Sequence, residues 1–224
     1  MGRDQHPRAR QREQLQRKQN QRAGYDRILI VSEGSKTEPQ YFREIRAAYR
    51  LHTANVAILP SQWGTEPLQV VKYARKLFVS GDRHNGVRER AFEQVYAVFD
   101  RDDHRRYFEA LQLAQSLDGK LRNDNRQPVT FRAIVSIPSF ELWLLLHYED
   151  IRHPLHRDEV LRRLKQYLPD YEKGGIGTFA KTRDNMETAR QRARQLAERS
   201  DSYNDSEPYS DIADLVDVLQ QLGR

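Results

Sequence analysis

Four short apolar runs, each followed by a stretch with helical spacing or helix-forming composition, constrain this chain more than any other feature. Residues 27–32 (RILIVS), 54–60, 94–99 (QVYAVF) and 129–136 (VTFRAIVS) are too short for ordinary helices and rich in β-branched residues, so they read as strands. Residues 38–50, 66–80 and 104–121 read as helices; in the second, Leu68, Val71, Ala74, Leu77 and Phe78 recur at the three-four spacing of an amphipathic face. The order β-α-β-α-β-α-β, with strands apolar at nearly every position, predicts an α/β fold whose mostly parallel sheet carries helices on both faces. Beyond it the chain turns helical, at 140–148, 157–167, 183–199 and 211–222. The expected division is an α/β domain over 24–150 and a helical appendage over 151–224. In the last helix the stripe Leu215, Val218, Leu219 and Leu222 reads as core packing.

Charge is unevenly placed. Of the 38 Lys+Arg and 32 Asp+Glu, residues 1–23 hold seven basic and two acidic groups, while residues 24–224 are close to balanced. This arm is Gln-rich and nearly free of large apolar side chains, so it is expected to be disordered alone or ordered by a partner. A phosphate backbone would suit it, because neutralising phosphates releases counterions; a solubilising tail is the plainer reading. The absence of cysteine excludes disulfides, a thiol nucleophile and thiolate zinc sites. The longest apolar stretch, residues 134–148, is interrupted by Ser136, Pro138, Ser139, Glu141 and His147 and falls short of a membrane span. A soluble, cytoplasmic protein without a membrane partner is the expectation.

Open parallel sheets take their ligands at the carboxyl ends of the strands. Three of the expected strand exits carry acids: Ser32-Glu33-Gly34, Asp100-Arg101-Asp102-Asp103, and residues 136–141 (SIPSFE), which end in Glu141. Side chains two apart on an extended segment point the same way, so Asp100 and Asp102 would face one site and Arg101 another. Carboxylates gathered without a cation repel one another, and an all-oxygen donor set suits Mg²⁺ or Mn²⁺. The competing reading is that residues 100–103 are a turn and a helix N-cap, where Asp is favoured; Glu33 at the end of another strand weighs toward a site.

Taken together, these motifs match a known pattern. A strand-Glu-Gly segment followed by a strand-DxD segment resembles the Toprim domain of topoisomerases, bacterial primases and nucleases of the overcoming-lysogenisation-defect type. More closely, ILIVSEGSKTEPQYF (28–42), VFDRDDH (98–104) and SIPSFELWLLLHYE (136–149) resemble the RloB family, Toprim-like proteins of bacterial restriction and phage-defence loci. The end of the chain, NDSEPYSDIADLVDVL (204–219), is similar to the end of that family. The resemblance implies a metal-dependent phosphoryl-transfer site, most plainly a nuclease, with a companion ATPase of the AAA or ABC type encoded nearby. Carried over by position, Glu33 matches the Toprim glutamate and Asp100 and Asp102 its DxD pair, while Glu141 stands as the further acidic ligand of the nuclease branch. On that reading Asp100 and Asp102 hold Mg²⁺ (or Mn²⁺) against a scissile phosphate. Glu33 binds metal or accepts the proton of water, and Glu141 supports a second ion if one binds.

Around the acids, Lys36 after Glu33 and Lys173 before Gly174-Gly175-Ile176-Gly177 are candidate phosphate contacts. Each also reads as a solvated lysine, and the glycines as a plain turn. Arg101, His104, Arg105 and Arg106 form a basic fringe that either leads nucleic acid to the acids or is an exposed first helical turn. The glycine run lacks the Lys-Ser/Thr ending of a phosphate-cradling loop, so ATP hydrolysis is expected from a partner. Trp143 is expected in the core, His153 and His156 in solvent, and Arg190, Arg192, Arg194 and Arg199 on a solvated face. The nuclease reading thus competes with two others: nucleotidyl transfer of the primase kind, and a non-catalytic subunit that binds nucleic acid or an ATPase. A homo-oligomer is compatible with all three.

Overall fold

A computed structural model describes residues 26–101, 106–201 and 208–223. The basic arm lies outside the described residues, as do Asp102 and Arg105. Five strands form one sheet in the order β2-β1-β3-β4-β5: β1 (Ile28–Ser32), β2 (Val56–Pro60), β3 (Gln94–Asp100), β4 (Thr130–Ile137) and β5 (Tyr209–Ser210). The first four are mutually parallel and the short β5 runs antiparallel to β4. Helices α1 (Thr37–Ala48), α2 (Pro67–Ser80) and α3 (Tyr107–Leu117) connect them. Then come α4 (Phe140–Leu146), α5 (Arg157–Tyr167), α6 (Thr178–Thr182), a 3₁₀ turn at Arg183–Asn185, α7 (Met186–Ala197) and α8 (Ile212–Gln221). This is the expected α/β architecture with helices on both faces.

Side-chain alternation along the strands divides the core in two. Leu29, Val31, Val95, Ala97, Phe99, Phe131 and Val135 pack with α2 and α3 on one face. Ile28, Ile30, Tyr96, Val98 and Ile134 pack with α1, α4 and the C-terminal helices on the other. Because both faces are covered, the strands have no polar side, which is why they read as continuous apolar runs.

The helices beyond residue 151 are not peripheral to this arrangement. Val160, Leu164, Met186, Ala189, Leu215 and Leu219 share one core with α1 and α4. The unforeseen β5 adds a rung to the sheet, pairing Ser210 with Ser136 and Tyr209 with Ile137. Trp143 is fully buried and donates from Nε1 to Tyr41 Oη at 2.9 Å. Of the arginines expected on a solvated face, Arg194 and Arg199 are exposed, while Arg190 and Arg192 turn to partners. Arg190 is buried, with Nε 2.6 Å from Asp217 on α8; Arg194 reaches the same carboxylate at 3.1 Å; and Arg192 donates to the Leu146 carbonyl at 2.7 Å. They tie α7 to its neighbours, a use that depends on partners far away in sequence.

Asp211 locks β5 in place: its carboxylate accepts from the Tyr209 hydroxyl at 2.6 Å and from the Val135 N–H at 3.2 Å. Burial pushes this carboxyl up to about 6. The folded state therefore keeps a proton that the unfolded chain releases, and stability falls as pH rises between about 4 and 6, by at most about 3 kcal/mol. Melting curves should show Asp211→Asn declining less steeply than wild type across that window and melting higher at neutral pH. A slope as steep as that of wild type would refute the assignment.

Candidate active site

The sheet register brings the exits of β1, β3 and β4 to one edge, with Ser32 beside Val98 and Asp100 beside Ser136. At the end of β1 the Ser32 hydroxyl donates to the Gly34 carbonyl at 3.0 Å, shaping the turn into α1. Glu33 continues the sheet through its N–H to the Val98 carbonyl at 2.8 Å, and its Oε2 accepts from the Asp100 N–H at 3.0 Å. The carboxylate of one strand exit thus fixes the backbone of the next.

Glu38, in the first turn of α1, was not foreseen as a site residue. It is 6% exposed and accepts from the backbone N–H groups of Gly34 and of Glu38 itself. A Cβ on Gly34 would lie 2.3 Å from Glu38 Oε2, so glycine after Glu33 is what leaves room for this carboxylate. An acid four residues past a strand-end glycine was the available signal.

Asp100 ends β3 and receives the N–H of Phe140, the first residue of α4. Glu141, in that same first turn, is 3% exposed and held from three sides. Ser139 Oγ donates to Oε2 at 2.8 Å, while Tyr171 Oη at 3.1 Å and Lys173 Nζ at 3.2 Å address Oε1. Tyr171 carried no sequence signal, because it lies 30 residues from its partner.

Burial, then the charges of Glu38, Glu33 and Glu141, hold the Asp100 carboxyl well above the usual carboxylate range. Glu38 is raised too, chiefly by burial and also by Glu141, against opposing hydrogen bonds from the backbone and the charge of Lys173. Burial is the larger cause for both carboxyls, and the neighbouring like charges add to it. One hydrogen bond returns only about 1 kcal/mol.

Of the candidate cations, Lys173 stands on Glu141. Lys36 is exposed at the N-cap of α1, and a Cβ on Gly174 would lie 2.6 Å from the Lys36 Cβ, so the glycine loop packs directly beside it. Arg101 takes the opposite side of the sheet from Asp100, its guanidinium 4.7 Å from the Tyr107 ring centre and 5.4 Å from that of Phe108. Asp102 and Arg105, lying outside the described residues, have no described position.

Mutually repelling oxygen donors are the chemistry a hard divalent ion relieves, and Glu33, Glu38, Asp100 and Glu141, two of them buried and two half-buried, fit it in kind. They do not fit it in spacing: among the described residues no three acid or histidine side chains group as metal ligands. An isosteric amide at position 100 keeps the acceptor for Phe140 and removes the charge. Asp100→Asn should therefore stabilise the fold at neutral pH by about 1–2 kcal/mol, about 2–8 °C in a chain of this size. A lower melting temperature in thermal unfolding at neutral pH would show that the acids do not repel one another.

No helix among the described residues is long and apolar enough to cross a membrane. Comparison with curated proteins and with solved structures gives no match. The family model described as RloB-like protein matches residues 28–219, a span that begins with β1, ends within α8 and holds every described acid of the site. With most of its length matched by that model, the chain belongs to the RloB-like protein family.

Proposed function

We propose that this chain is a divalent-metal-dependent nuclease hydrolysing phosphodiester bonds in DNA or RNA. The observation that carries this reading is that Asp100, at the carboxyl edge of a parallel sheet, feels the charges of Glu38, Glu33 and Glu141 and is held well above its ordinary range. Such an edge is where α/β sheets bind ligands, and perturbed carboxyls there mark groups arranged for chemistry rather than for stability.

In this reading Asp100 and Asp102 would hold Mg²⁺ or Mn²⁺ with Glu33 and Glu141, a set that the spacing of the described acids does not by itself supply. The ion's contribution, when bound, is to lower the pKa of its water and neutralise charge on the phosphate. The chain's own residues do the rest. Glu38, its proton affinity raised by burial, would take the proton of the attacking water as that oxygen bonds to phosphorus, while the ester P–O bond breaks and the leaving oxygen takes a proton from solvent. Lys36, exposed beside the glycine loop, and Lys173 are the cations placed near the acids to meet the negative backbone of the substrate, whereas Arg101 stands on the other side of the sheet. Family membership supports the further expectation of a role in phage defence beside a separate AAA- or ABC-type ATPase.

Purified protein incubated with plasmid DNA and, separately, with total cellular RNA tests the reading. Cleavage is expected with Mg²⁺ or Mn²⁺ and not with chelator. It should fall at least about 10²-fold in Asp100→Ala and Glu38→Gln, as expected for loss of a group that acts in proton transfer or charge stabilisation. Metal-dependent cleavage that persists in Asp100→Ala at full rate would refute the site. Silence with both polymers, repeated in the presence of the neighbouring ATPase, would refute the nuclease.

A further inference from the structure

On its α2–α3 side, the carboxyl edge of the sheet carries an exposed indole. The chain leaves β2 through a backbone rung, the Ser61 N–H donating at 2.8 Å to the carbonyl of Ser32, the residue before Glu33. Two residues on stands Trp63, 49% exposed. Its place is set on every side. Its N–H donates to the Ser61 hydroxyl at 3.3 Å, Gly64 turns the chain after it at φ 109°, and its ring leans on buried Tyr73 with centres 5.6 Å apart. An indole braced in this way loses little freedom on taking a partner.

Cations flank it. Lys72 and Lys76 are half-buried on α2, with the Lys76 Nζ 5.9 Å from the Tyr73 ring centre. Helix α3 packs beside α2 and begins with a second exposed aromatic, Phe108, 38% accessible, whose ring centre lies 5.4 Å from the Arg101 guanidinium. The charge of Glu66, the N-cap of α2, reaches Arg106 at the N-cap of α3, so the two groups of side chains border one surface. Lys72, Lys76, Arg101 and Arg106 outnumber Glu66 and Glu109 there.

We propose that Trp63 is a stacking platform for an unpaired nucleobase, so that the polymer presented to the acid edge is single-stranded. The inference rests on the nuclease reading above for the fate of the strand, though not for its binding. An open aromatic face with cations around it is the chemistry that holds single strands, the ring taking a base and the cations its phosphates. A duplex, whose bases are already stacked on one another, offers this surface phosphates alone. Flanking charges that are mostly of one sign favour such a polyanion over a protein partner. A strand held here crosses the sheet edge to reach Glu33 and Asp100, which gives Arg101 a use on the side away from Asp100.

The test is binding by the full chain in chelator, which separates binding from cleavage. Trp143, the only other tryptophan, is fully buried and bonded to Tyr41, so a ligand-induced change in emission reports Trp63. Oligothymidylate or oligouridylate of about 20 nucleotides is expected to quench that emission, and oligothymidylate paired with oligoadenylate to leave it unchanged. With a fluorescein-labelled oligothymidylate read by anisotropy, Trp63→Ala should bind about tenfold more weakly than wild type, and Trp63→Phe, which keeps a ring, within about threefold. Equal affinities for wild type and Trp63→Ala, or tighter binding of the duplex than of the single strand, would overturn the platform and leave the nuclease reading to its own cleavage assay. Binding of neither form would count against both. Association with the neighbouring ATPase that is lost in Trp63→Ala, without any loss of oligonucleotide affinity, would overturn the platform and give the face to a protein. Should Trp63→Ala fail to fold, quenching of the wild-type chain by single strands and not by duplex decides.

Discussion

Acids do not gather at the edge of a sheet unless something holds them there, and this fold is organised around four that do, Glu38 and Glu141 buried, Glu33 and Asp100 half-buried. Glu33, Glu38, Asp100 and Glu141 come from two strand exits and two first helical turns, and their repulsion opposes the folding that assembles them. The opposing forces are local and specific. Backbone N–H groups of Gly34 and Glu38 address Glu38, the Phe140 N–H addresses Asp100, the Asp100 N–H addresses Glu33, and Lys173 with two hydroxyls addresses Glu141. Each contact also fastens one element to another, so the groups that create the tension position the elements carrying it. Stability surrendered at one edge of the sheet is recovered in the two apolar cores beneath and above it.

The C-terminal third of the chain takes part in this edge rather than standing beside it. It supplies Tyr171 and Lys173 to Glu141, the glycine loop to Lys36, and a strand rung to β4. Asp211 and the α7 arginines then secure the same segment against β4, α8 and α4.

What could be read directly from the residues was whatever depends on near neighbours in the chain. Apolar runs of strand length, the amphipathic spacing between them and the acids at their ends identified the α/β layering and the family, and placed Glu33 and Asp100 at strand exits. The periodicities of strand and helix are local properties, and a sheet covered on both faces writes itself as unbroken apolar strands. Glu38 was within reach, since it belongs to the same short motif as Glu33 and Gly34. Its burial, at 6% exposed, is a product of the tertiary fold rather than of the motif.

Tertiary structure alone decided the rest. That Arg190 is buried against Asp217 rather than solvated, that residues 209–210 form a strand, and that Lys173 meets Glu141 all depend on contacts between segments tens of residues apart. No periodicity records such pairings. The sequence by itself determined which chemistry could collect at the sheet edge, because residue type and strand position are written in it. The tertiary structure decided which acids are clasped and which repel, because a carboxylate's charge state is set by burial and by neighbours that only folding supplies.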